Sequence, residues 1–192
     1  MNAMLAMPEE ATDLERAFEN GNLCLHYQPQ VDVFQPWPVI IGYEALLRWR
    51  LPDGRFALPD RFIPTAEACG LVETLDKWVI GTVCEEMARA KAAGAAHRPR
   101  MSANVSTRQF GRPDFARAVD DILTRTGVDP ARLTLEITEG AVLQQDETTL
   151  GNLHALREMG VALALDDFGT GYSSLLHLRG LPIQEIKLDR SF

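Results

Sequence analysis

The period of the apolar positions changes several times along the chain, and each change marks an element. Leu14, Ala17 and Phe18 lie a helical turn apart and predict a short helix from about Asp13, while residues 1–12 lack periodicity and read as a tail or linker remnant. Beyond Gly21, Leu23 to Val31 and Val39 to Trp49 read as strands, and the turn-prone Gln35-Pro36-Trp37-Pro38 between them predicts a hairpin. Helical spacing returns over Pro59 to Cys69 and over Glu73 to Ala93, where Trp78, Val79, Val83 and Met87 share a face and Gly94 marks a stop.

From there the pattern alternates: strand Met101 to Ser106, helix Pro113 to Arg125, strand Leu133 to Thr138, helix Glu147 to Met159, strand Val161 to Phe168, a short helix, and strand Glu185 to Asp189. Alternation of this kind predicts βαβ units around a parallel sheet. With 192 residues the chain falls short of the roughly 250 of a closed eight-stranded α/β barrel.

Composition narrows the function classes. The chain has 46% apolar and 24% charged residues and no apolar run near the ~20 that a membrane span needs, so membrane insertion of this segment is not expected. A net charge of −8 argues against binding a nucleic-acid polymer, though a bound cation can reverse the sign locally. The N-terminus lacks the basic start of a secretory signal, and Cys24, Cys69 and Cys84 have no metal-ligand spacing; a cytoplasmic protein with free thiols is expected.

Side chains alternate between strand faces, and this parity points to chemistry. Glu136 lies opposite Leu133, Leu135 and Ile137. Asn104 groups with Ser102 and Ser106, Asp166 follows Ala162 and Ala164, and Lys187 opposes Ile186 and Leu188. In a parallel barrel these late-strand polar groups meet at the C-terminal rim, and Glu44 joins them if its strand enters the same sheet. An isolated strand-end acid is more often a cap or an exposed ion pair. Several converging oxygen ligands without His or Cys suit a hard cation such as Mg²⁺ or Mn²⁺, because unpaired buried carboxylates are costly. After the strand, Asp166-Asp167-Phe168-Gly169-Thr170-Gly171 places an acid pair beside a Gly-x-Gly loop, which alone is weak evidence for phosphate binding.

These residues resemble the EAL family. Glu44-Ala45-Leu46-Leu47-Arg48-Trp49 matches its signature. Tyr27-Gln28-Pro29, Asn104-Val105-Ser106, Glu136-Ile137-Thr138-Glu139, the Asp166–Gly171 loop and Lys187-Leu188-Asp189 follow in the family's order, over residues 13–192. The resemblance implies a modified (β/α)₈ TIM barrel with an antiparallel first strand, here incomplete with about six strands. It implies hydrolysis of cyclic di-GMP to linear pGpG with Mg²⁺ or Mn²⁺, two ions in the complete domain. Glu44, Asn104, Glu136 and Asp166 resemble one ion's ligands, and Asp166 with Asp167 those of a second. Lys187 resembles the lysine that positions or activates the attacking water, Gln28 and Arg48 resemble guanine and phosphate contacts, and Glu139 resembles a residue that steadies the loop after Phe168.

Two departures change the expectation. Gln35-Pro36-Trp37-Pro38 stands where the family has a short Gly-containing turn, and the family's later Ala-Glu-Gly-Val-Glu-like and Gln-Gly segments are not in the sequence. The resemblance therefore implies a truncated chain with impaired turnover. The alternatives are a cyclic di-GMP receptor or regulatory interaction module that binds without hydrolysis, and an unrelated metal-dependent phosphoesterase on an open sheet. A homodimer and an upstream sensor or cyclase domain are compatible with the resemblance.

Overall fold

The computed structural model describes residues 7–95, 99–138, 146–169, 180–189 and 191, with side chains from Ala11 onward. Helix α1 (Met7–Glu19) starts six residues before the expected Asp13 and buries Leu14 and Ala17. Strands β1 (Leu23–Asp32) and β2 (Val39–Arg50) form the expected antiparallel hairpin, in which Gln28 pairs with Glu44. A two-residue strand β3 (Phe56–Ala57), too short for periodicity to reveal, pairs with the end of β2.

Helix α2 (Pro59–Cys69) begins on a proline, whose missing N–H is no loss at that position, and ends on Gly70 with φ 78°. Helix α3 (Val72–Ala92) buries Val72, Leu75, Asp76, Val79, Ile80 and Val83, while Trp78 is only partly buried on its flank. After β4 (Arg100–Asn104) a short helix that the pattern does not predict, α4 (Thr107–Phe110), precedes the expected one, α5 (Phe115–Thr126). Strand β5 (Leu133–Thr138), helix α6 (Glu147–Met159), β6 (Ala162–Phe168) and β7 (Glu185–Leu188) follow as the pattern predicts. The short helix expected before β7 falls outside the described residues.

The sheet has seven strands in the order β1-β2-β4-β5-β6-β7, with β3 on β2. β2, β4, β5, β6 and β7 run parallel, and β1 is antiparallel to β2. Among the described residues β1 and β7 end the hydrogen-bonded order, and the sheet is not closed into a barrel. The core lies between the sheet and its helices, built on Leu133, Leu135, Ile137, Leu163 and Leu165 against Val79, Ile80, Phe115 and Leu156. No helix among the described residues is long and apolar enough to cross a membrane.

Candidate functional site

On the face away from the helices, strand register sets the polar side chains. Asn104 pairs with Glu136 across β4 and β5, Thr138 pairs with Asp166 across β5 and β6, and Glu44 pairs with Ser102 across β2 and β4. Parallel strands advance together, so these residues reach the same C-terminal edge.

Lys187 Nζ sits among three carboxylates, 2.6 Å from Glu136 Oε2, 3.0 Å from Glu44 Oε2 and 3.1 Å from Asp166 Oδ2. One oxygen of each acid lies within 4.8 Å of the others. Asn104 Nδ2 donates to Glu44 Oε1 at 3.0 Å, so Glu44 is held from both sides. Sequence parity thus brought Glu44, Asn104, Glu136, Asp166 and Lys187 to one place.

Electrostatics in the cluster follow from burial and crowding. Burial pushes the Glu136 carboxyl up to about 7; the charges of Glu44 and Asp166 add to this and Lys187 opposes it. Burial alone lowers the Lys187 ammonium, but its hydrogen bond to Glu136 and the surrounding carboxylates outweigh this and raise it above the usual lysine range. Lys187 is therefore a fixed cation at neutral pH. Glu136 Oε1 is buried without a hydrogen-bond partner among the described residues, an expensive state for a carboxylate oxygen. An all-oxygen set with one orphaned acceptor fits a hard cation, which Glu44, Asn104, Glu136 and Asp166 would hold.

Asp167 adopts φ 54°, a left-handed conformation that Asp tolerates better than most side chains, and its N–H donates to Asp166 Oδ1 at 3.0 Å. Burial and the Asp166 charge raise its carboxyl. Gln28 is exposed on β1 directly across from Glu44. Arg48 is partly buried further along β2, where its Nη1 donates to the Leu47 carbonyl at 2.8 Å. Glu139 lies outside the described residues, as do residues 170–179 of the loop that begins at Asp166.

Period-2 parity misplaced Ser106. The strand ends at Asn104, and Ser106 turns instead to α3, where Asp76 Oδ2 accepts from its N–H at 3.1 Å and its hydroxyl at 2.5 Å. The available signal was an aspartate at a buried position between Val72 and Ile80 on one helical stripe.

The EAL domain family model matches residues 11–192. The bifunctional diguanylate cyclase/cyclic di-GMP phosphodiesterase MucR of Pseudomonas aeruginosa is 40% identical over 94% of this chain and 26% of its own length. The cyclic di-GMP phosphodiesterase NbdA of the same organism is 40% identical over 98% of this chain and 23% of its own. The chain thus spans about a quarter of these relatives. A solved structure of the P. aeruginosa MucR phosphodiesterase in complex with c-di-GMP superposes with a TM-score of 0.87 at 39% identity, over 95% of this chain and 73% of that one. The EAL enzyme Bd1971, solved with cAMP and cyclic-di-GMP bound, gives 0.89 at 29% identity over all of this chain and 52% of its own. With the motifs, the antiparallel first strand and the rim carboxylates in agreement, the chain belongs to the EAL domain family.

Proposed function

We propose that this chain is a cyclic di-GMP phosphodiesterase domain that hydrolyses its substrate to linear pGpG, using Mg²⁺ or Mn²⁺ held by Glu44, Asn104, Glu136 and Asp166. A second ion belongs to Asp166 and Asp167. The observation that carries this reading is the convergence of three carboxylates within 4.8 Å at parallel strand ends, one of them with a buried oxygen that has no partner among the described residues. Relatives named as cyclic di-GMP phosphodiesterases and neighbours with that ligand bound support the substrate.

When bound, the cations supply Lewis-acid charge against the phosphodiester oxygens. The chain's own groups do the rest. Asn104 and Lys187 hold Glu44 from opposite sides, fixing the carboxylate before substrate arrives. Lys187, within 3.1 Å of Glu44, Glu136 and Asp166, is placed to orient the attacking water by donating a hydrogen bond. Gln28 contacts a guanine, and Arg48, with its forked guanidinium, a phosphate. Glu139 steadies the loop after Phe168.

The test is chromatographic detection of pGpG from cyclic di-GMP in Mn²⁺. Asp166→Ala is expected to lower turnover at least about a hundredfold, beyond the usual loss from a mere supporting contact. Wild-type turnover by that variant contradicts the ligand assignment. Binding of cyclic di-GMP by the wild-type chain without any pGpG would make the domain a receptor.

A further inference from the structure

We propose that Asp76 is a positioning residue for the cation site: through Ser106 it fixes the backbone on which Asn104 stands. This inference rests on the reading of Glu44, Asn104, Glu136 and Asp166 as cation ligands.

Asp76 belongs to α3, and it is 8% exposed. Both donors of Ser106, its N–H and its hydroxyl, converge on Asp76 Oδ2. Ser106 immediately precedes α4, where a serine hydroxyl ordinarily accepts a hydrogen bond from a first-turn N–H. Here it makes no such bond, and its hydroxyl serves as a donor to Asp76 instead. From the other side, the Val105 N–H donates to the Glu136 carbonyl at 3.0 Å. The two residues after Asn104 are thus tied in two directions, to β5 and to α3.

Asn104 needs that support because its own side chain is exposed and gains little from packing. Its amide must meet Glu44, and where it points depends on where the strand's last peptide is held. Joining α3 to the sheet does not require a carboxylate, since Val72, Leu75, Val79, Ile80 and Val83 already bury that helix face. Burying an acid there is costly. What the acid adds is a fixed geometry for the turn that follows a proposed ligand.

The experiment is calorimetric titration of Mn²⁺ into the full chain and its variants, with melting temperature recorded for each. Asp76→Ala is expected to weaken Mn²⁺ binding about tenfold or more, as loss of an outer contact commonly does. Asp76→Asn, whose amide oxygen can accept from the same donors, is expected to bind close to wild type. Should Asp76→Ala fail to fold, Ser106→Ala removes only the hydroxyl and is expected to weaken binding several-fold. Wild-type affinity in Ser106→Ala and in every folded Asp76 variant overturns the proposal. If the wild-type chain itself binds no Mn²⁺, the cation-site reading fails and this inference falls with it.

Discussion

Lys187 occupies the centre of the carboxylate cluster, and its ammonium offsets charges that would otherwise repel across less than 5 Å. Removing it leaves Glu44 and Asp166 crowded around Glu136, whose side chain is 1% exposed. Breaking a fully buried pair costs about 3–5 kcal/mol, and the partial exposure of Lys187 discounts this, so Lys187→Met is expected to destabilise the metal-free chain by roughly 2 kcal/mol. Added Mn²⁺ should restore more stability to this variant than to wild type, which thermal melts with and without the ion would measure. An equal shift in both proteins would show that Lys187 and the cation do not answer the same charge.

The Asp76 carboxyl gives a separate pH signature, because burial pushes it up to about 6 despite the opposing bonds from Ser106. A carboxyl raised on folding favours the native state most below its unfolded value. That contribution is lost as pH rises from about 4 to about 6. Asp76→Asn stays neutral throughout, so its stability relative to wild type should be greater at pH 7 than at pH 4, by on the order of 2 kcal/mol. Urea unfolding at the two pH values checks this, and a difference independent of pH would contradict it.

At the scale of elements, the strands that carry the site were legible because their alternation is strong and their flanks carry turn residues. β5 matches its expected bounds, Leu133–Thr138, and α6 its own, Glu147–Met159. The β4–α5 connection was not legible, because its order comes from distant side chains. Asn152 on α6 accepts from the Ala116 N–H at 3.2 Å and donates to the carbonyls of Phe110 and Arg112 at 2.7 and 2.8 Å. It thereby serves the start of α5, where Asp114 makes no side-chain cap bond, and closes the end of α4. No local pattern announces a cap supplied from about 40 residues away. Asn152→Ala orphans these buried backbone groups and should destabilise the fold by about 3 kcal/mol at unchanged m-value. A loss below about 1 kcal/mol in urea unfolding would show that water replaces the amide readily.

For the whole molecule, the parallel sheet with an antiparallel first strand concentrates negative charge at one edge. Period and parity placed Glu44, Asn104, Glu136, Asp166 and Lys187 there correctly, since each lies within a regular strand. Strand alternation does not extend to Ser106, two residues past the end of β4, and an aspartate on the buried stripe of α3 does not by itself reveal its pairing with Ser106, which depends on how α3 seats on the sheet. The choice of a hard cation follows from donor chemistry alone, so a metal titration is a more direct test of the site than turnover. Mn²⁺ should bind the wild-type chain saturably by calorimetry, and Glu136→Gln should weaken that binding by about tenfold or more, because it removes a charged ligand at the buried centre. No saturable binding to wild type, or unchanged affinity in a folded Glu136→Gln variant, would contradict a cation site built on these strand ends.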